Sequence, residues 1–205
     1  MVTALLPTAA WEEAQSPLVF DLNKDGKLDL ISFHKKLVSF DLDGNGYKST
    51  TGWVGKRDAL LAIDINGNGR IDNGRELFGE FSHPITGKRA FNGKSFNDGF
   101  AALAQYDKNL DQRIDANDKI FDKLVLWHDK NVNGQTDKGE LLSLKEAQIK
   151  SISLFSERAA DRNFASMVND NDLRLFGEYT STDGKTHQVV DVWFRYEYPT
   201  TTASK

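Results

Sequence analysis

The sequence predicts an α+β fold: several acidic twelve-residue loops of EF-hand type, two of them joined as a paired lobe, with short helices and a C-terminal antiparallel β-hairpin. Three observations predict it. Asp, Asn and Gly recur at fixed positions in five loops, beginning at Asp21, Asp41, Asp64, Asp107 and Asp129. Apolar residues fall at helical spacing before the fourth loop, as Phe96, Phe100, Leu103 and Tyr106. Beyond Ile152 the spacing changes to the alternation of strands.

The loop from Asp129 to Glu140 meets each side-chain requirement of a calcium loop. Asp129, Asn131, Asn133, Gly134, Asp137 and Glu140 stand at positions 1, 3, 5, 6, 9 and 12, and Gln135 offers its carbonyl at position 7. A hard dication with six to eight oxygen ligands needs short side chains turned inward, a glycine bend and a bidentate closing Glu. The loop from Asp107 supplies Asp107, Asn109, Asp111, the Arg113 carbonyl, Asp115 and Asp118, with Gln112 where glycine is expected. A helix over 118–126 would set these two loops side by side, bridged through Ile114 and Thr136 at position 8 of each.

Earlier in the chain the same phrase occurs three times, each copy preceded by a β-favouring apolar residue, Phe20, Phe40 or Ile63. The first offers Asp21, Asn23, Asp25, the Lys27 carbonyl and Asp29. Its position 12 is Ser32, so its closing carboxylate must come from elsewhere or be water. The second offers Asp41, Asp43, Asn45 and the Tyr47 carbonyl, with Gly52 at position 12; it is the weakest, and reads equally as a plain turn. In the third, Asp64, Asn66, Asn68, the Arg70 carbonyl and Asp72 are followed by Glu76, one residue late. About four or five calcium ions are expected in all.

Between these groups, Glu76 to Glu80 reads as a short helix, and Ser95 to Tyr106 as the helix entering the Asp107 loop. Ser143 and Glu146 form a capping box at the head of a further helix. Leu173–Thr180 and His187–Tyr198 read as two strands joined at Asp183-Gly184. Residues 1–16 read as a linker, 17–198 as a single calcium-binding domain and 199–205 as a tail.

Composition narrows the function. The 205 residues include 13 Phe and 4 Trp, enough for a packed core, and the net charge of −4 with no basic patch argues against nucleic acid. No apolar run is long enough to span a membrane. There is no cysteine, and calcium can staple the fold where disulfides would elsewhere. Residues 1–15 lack the basic and apolar regions of a secretory signal, so the chain reads as cut from something larger or as exported by a C-terminal signal. The histidines, His34, His83, His128 and His187, are scattered without metal-site spacing, and neither a Ser/His/Asp constellation nor a phosphate loop is recognisable, so a conventional enzyme is not expected.

Several segments in order carry a family resemblance: Pro17–Gly26, Phe40–Gly46, Thr51–Gly55, Asp64–Asp72, Gly74–Gly79, Gly99–Leu103 and Asp191–Phe194. Together they resemble the calcium-binding module of large bacterial RTX proteins secreted by type I systems. The resemblance implies an extracellular or cell-surface location within a larger protein. In the FrpC-like self-processing branch it implies calcium-driven cleavage of an Asp-Pro bond at the module's N-terminal edge, after which the new C-terminal Asp can be joined to a lysine. In giant adhesins of the same general kind it implies calcium-dependent binding of a host or surface ligand, peptide or glycan. This chain departs from the first pattern: Ser16-Pro17 stands at the junction and no Asp-Pro pair occurs. Serine cannot form the anhydride that such cleavage needs. Three readings stay open: a ligand-binding module, a self-processing module whose scissile Asp is replaced by Ser16, and a structural spacer.

Overall fold

The computed structural model describes residues 15–87, 93–162 and 166–197. The expected linker before Gln15 and the tail after Glu197, with Tyr198, lie outside the described residues. In chain order the strands are β1 Leu18–Phe20, β2 Leu30–Ile31, β3 Val38–Phe40, β4 Ser49–Thr51, β5 Trp53–Val54, β6 Ala59–Ile63, β7 Arg113–Asp115, β8 Leu124–Trp127, β9 Leu141–Ser143, β10 Ile149–Arg158, β11 Met167–Val168, β12 Asn171–Ser181, β13 Thr186–Trp193 and β14 Tyr196–Glu197. Helix α1 is Gly99–Ala104 and α2 is Ala159–Arg162.

Nine strands form one antiparallel sheet in the order β7-β10-β12-β13-β1-β6-β8-β9, with β11 added beside β12. Strands β1, β6 and β8 read as unbroken apolar runs, LVF, ALLAI and LVLW, because both faces are covered. Val19, Leu60, Ala62, Trp127, Val190 and Val192 point into one core, with Phe40, Trp53 and Phe194. Their neighbours Leu18, Phe20, Ala59, Leu61, Leu126 and Val189 point into the other, against Phe78, Phe100 and Tyr179. The period of two along a strand thus feeds two cores at once.

The α+β expectation is overturned: the fold is mostly β, and among the described residues no EF-hand helix flanks a loop. The segment expected to link the paired loops as a helix is a single 3-10 turn, Phe121–Lys123, running into β8. Its LVLW run takes a sheet place beside β6, where all four residues find partners across the strand. No paired lobe forms. Ile114 lies opposite Ile152 of β10, while the Thr136 hydroxyl accepts the N–H of Ile71. The entering helix shrinks to α1, capped by Asp98, and the helix expected over Glu76–Glu80 is absent, a 3-10 turn covering Gly74–Glu76 ahead of it. Ser143 and Glu146 do exchange capping-box bonds, but they close a turn ending at Gln148, whose φ of 57 stops any helix. The C-terminal hairpin is present as β12 and β13, turning at Asp183-Gly184.

Candidate functional site

Each of the five loops is built on one hydrogen-bond frame. The carboxylate at position 1 accepts the N–H at position 6: Gly26 to Asp21 at 2.8 Å, Gly46 to Asp41 at 2.9 Å, Gly69 to Asp64 at 2.7 Å, Gln112 to Asp107 at 3.0 Å and Gly134 to Asp129 at 2.8 Å. Positions 4 and 6 are left-handed throughout, as Lys24/Gly26, Gly44/Gly46, Gly67/Gly69, Leu110/Gln112 and Val132/Gly134. Gln112 therefore does what glycine does in the other loops, at a cost of about 1–2 kcal/mol. The strand-to-loop repeat holds for four loops, which leave β1, β3, β6 and β8; the Asp107 loop leaves α1 instead.

A second feature closes four of the loops. In the last, Glu140 accepts the N–H groups of positions 2 and 9, Lys130 and Asp137, both at 2.9 Å. Asp118 does the same for Lys108 and Asp115, and the late Glu76 for Ile65 and Asp72. For the first loop the closing group is Asp58, which accepts from Leu22 at 3.1 Å and Asp29 at 2.6 Å. Sequence reasoning missed Asp58, since it reaches the loop only after the chain has gone around through β5. Its carboxyl is fully buried and pushed up to about 7, chiefly by burial, with Asp21 and Asp29 adding repulsion. In the loop at Asp41, among the described residues, no carboxylate spans positions 2 and 9; Arg75 instead donates to the Gly44 carbonyl.

These side chains fit calcium. Among the described residues no three carboxylates or histidines gather as a metal cluster. What each loop brings together is Asp and Asn side chains, residue types that a hard cation takes as ligands. Asn131 and Asn133 both turn to Asp137, and Asn66 and Asn68 to Asp72, so positions 3, 5 and 9 converge in each loop. In the Asp107 loop, Asp107 Oδ1 is buried with no hydrogen-bond partner, an acceptor that a cation would satisfy.

At the other end of β1, the segment Gln15–Pro17 is buried and held on both sides. Gln15 and Phe194 exchange backbone bonds at 3.0 and 2.9 Å, Leu18 N–H donates to Phe78 and Val192 N–H to Pro17. Ser16, only 6% exposed, donates from Oγ to Asp191 Oδ2 at 3.3 Å. The same oxygen accepts the Gly99 N–H at 2.5 Å, at the start of α1. Asp191 is fully buried, and its Oδ1 has no partner. Burial pushes its carboxyl up to about 7; the Gly99 and Ser16 bonds oppose this, while Asp98 and Glu80 add to it. Glu80, also buried, is paired with Lys94 at 2.8 Å. Burial raises its carboxyl too, and Lys94 and the Ser16 N–H facing it oppose that shift.

Gly79 makes the junction possible. A Cβ there would stand 1.7 Å from the Ser16 carbonyl oxygen, which is backbone and cannot move aside cheaply. Gly79→Ala is expected to destabilise the fold by roughly 3 kcal/mol in urea unfolding, at the upper end for overpacking. An unchanged midpoint would mean that the junction does not sit against this glycine. Pro17, Gly79, Gly99 and Asp191, from four of the scattered segments that carry the resemblance, thus meet at one place. The signal for Asp191 was a lone acid within VVDVWF, a run otherwise apolar; nothing local marked Glu80.

The family model for the SPM domain matches residues 18–195. The chain belongs to the SPM domain family. It is also 38% identical over 176 residues to the iron-regulated protein FrpA of Neisseria meningitidis serogroup C, a match covering 86% of this chain. The chain spans only 15% of that relative's length. Both matches fit an RTX-associated module and a part of a larger secreted protein. No helix among the described residues is long and apolar enough to cross a membrane.

Within this SPM domain the loops and the junction share a core. Trp53 donates from Nε1 to Asp129 Oδ2 at 2.8 Å and packs on Phe194 at 5.8 Å, and Phe194 holds Gln15. A rearrangement of the Asp129 carboxylate is therefore two side chains away from residue 15.

Proposed function

We propose that this chain is a calcium-stabilised self-processing module of a type I-secreted RTX protein, acting outside the cell, in which Ser16-Pro17 occupies the scissile position and serine blocks the cut. The observation that carries this reading is the buried Ser16-Pro17 junction, gripped by backbone bonds on both sides and faced by Asp191 and Glu80. An N-terminal linker running into a domain has no structural need for two buried acids. Residues 17–198 form the working domain in this reading.

Calcium, bound in the loops, would supply positive charge where each loop concentrates oxygens. Asp21, Asp25, Asp29 and Asp58 would hold the ion at the far end of β1 from the junction. Asp64, Asp72 and Glu76 would hold a second; Asp107, Asp111, Asp115 and Asp118 a third; Asp129, Asp137 and Glu140 a fourth. The Asp41 loop lacks a closing carboxylate and would bind more weakly. The turns that would hold the first two ions follow β1 and β6 directly, and the junction leads into β1, so ordering of these turns bears on the junction.

Ser16→Asp restores the nucleophile. With calcium added to the chelated protein, the variant is expected to yield a fragment beginning at Pro17, identified by mass spectrometry, while the unsubstituted chain stays whole. A folded Ser16→Asp chain left intact in calcium would sink the reading.

The second reading is calcium-dependent ligand binding, favoured by a cleft of about 350 Å³ lined by Trp193, Arg174, Arg158 and Leu173. Arg174 stacks on Trp193 at 3.4 Å there. This reading would have an extracellular peptide or glycan displaced from the cleft by Trp193→Ala, with no bond cleavage.

A further inference from the structure

The geometry points to Asp191 as the catalytic acid of the cleavage reaction, the group that hands a proton to the departing Pro17 nitrogen when an aspartate occupies position 16. This rests on the self-processing reading above, and it assigns a role to a residue outside the calcium loops.

Asp191 sits in β13 directly across from Leu18 of β1, and its carboxyl reaches back past Pro17 to the side chain of residue 16. It therefore spans the bond that would break. Its 3.3 Å contact is with Ser16 Oγ, which stands in for the carboxylate that attacks. The next residue, Val192, donates its N–H to the Pro17 carbonyl, so strand pairing fixes the acid against the leaving residue.

Its surroundings favour a held proton. Leu18 and Leu175, the register partners on either side of Asp191, offer no charge. Asp98 at the head of α1 and Glu80 both repel a second negative charge, and Lys94 is engaged by Glu80. Arg174 of β12 acts on Glu80 as well. Burial raises the Asp191 carboxyl toward neutrality. Placing a carboxylate at residue 16 against it makes an acid pair that shares one proton, as two carboxyls at such range cannot both ionise.

The bonds and charges of the step balance. The carboxylate introduced at position 16 attacks its own backbone carbonyl carbon, a C–O bond closes a five-membered anhydride, and the bond to the Pro17 nitrogen breaks. That nitrogen takes the proton of Asp191 and leaves as a neutral secondary amine, and Asp191 ends as the carboxylate. One negative charge is present before and after. Water opens the anhydride later.

The test uses the full chain carrying Ser16→Asp, with and without Asp191→Asn, in added calcium. Asparagine keeps the size and the Gly99 bond but holds no transferable proton. The expected result is a rate lower by on the order of 100-fold in the double variant. The single variant is expected to slow as pH rises through neutrality, and the double variant to lose that dependence. Equal rates with the same pH profile would overturn the role of Asp191 while leaving the self-processing reading intact. No cleavage by a folded Ser16→Asp chain would defeat that reading itself. If Ser16→Asp does not fold, carbon-13 NMR of the unsubstituted chain decides: a protonated Asp191 at pH 6 supports the assignment, and an ionised one overturns it.

Discussion

Asp58→Ala is expected to remove one calcium ion from the stoichiometry and to lower stability in calcium by about 3 kcal/mol, since two charge-assisted hydrogen bonds are lost together. The substitution leaves the Leu22 and Asp29 N–H groups without their acceptor and the first loop without a closing carboxylate. Both hydrogen bonds are lost with or without the ion, so the part of the loss that appears only in calcium measures the carboxylate's contribution to holding the ion. Calorimetric titration with calcium checks the stoichiometry, and urea unfolding with and without calcium checks the difference. Unchanged stoichiometry would mean that Ser32, or water, closes this loop and that Asp58 is only a backbone tie. The experiment separates a metal ligand from a structural acid, because only the former couples its loss to the ion.

Asp191→Asn is expected to make the protein more stable above neutral pH and to leave it little changed at pH 4. The sign follows from the carboxyl. Asp191 is raised from its ordinary value to about 7 in the fold, so the folded state binds the proton more tightly than the unfolded chain. That contribution is fully present below about pH 4 and is lost as pH rises toward 7, where ionisation in a buried site costs stability. Across this window the difference between parent and variant should change by about 4 kcal/mol. Asparagine removes the titration and keeps an acceptor for Gly99. Urea unfolding of both proteins at pH 4 and pH 8 in saturating calcium gives the two differences, and the calcium loops, common to both, cancel. An equal difference at both pH values would show that Asp191 is ionised throughout, against a buried neutral acid.

Much of the loop geometry is legible because each loop is contiguous. Asp129 to Glu140 carries its own oxygens, bend and closure within twelve residues, so spacing alone states the frame. Even the glycine-free Asp107 loop adopts that frame, with Gln112 forced left-handed. The helical signals mislead for a different reason. Asp118–Leu126 and the segment after Ser143 carry helical or capping signals, yet intrinsic propensity is worth only tenths of a kcal/mol per residue. The sheet position beside β6 fully buries Leu124, Leu126 and Trp127, worth about 1.5–3 kcal/mol each, while the left-handed Gln148 ends the turn after Ser143. Tertiary burial wins that comparison, and the paired lobe expected between the last two loops gives way to separate loops on the rim of one sheet.

The chain's linear text therefore determined five acidic turns, the strand leading into most of them, the C-terminal hairpin and the serine at the junction, each of which is a matter of neighbours along the backbone. Only the folded arrangement decided that Asp58 closes a loop it does not belong to, and that Asp191, Glu80, Gly79 and Gly99 surround residue 16. Those meetings join strands and turns far apart in the chain. No local spacing encodes them, because they are set by which strand lies beside which.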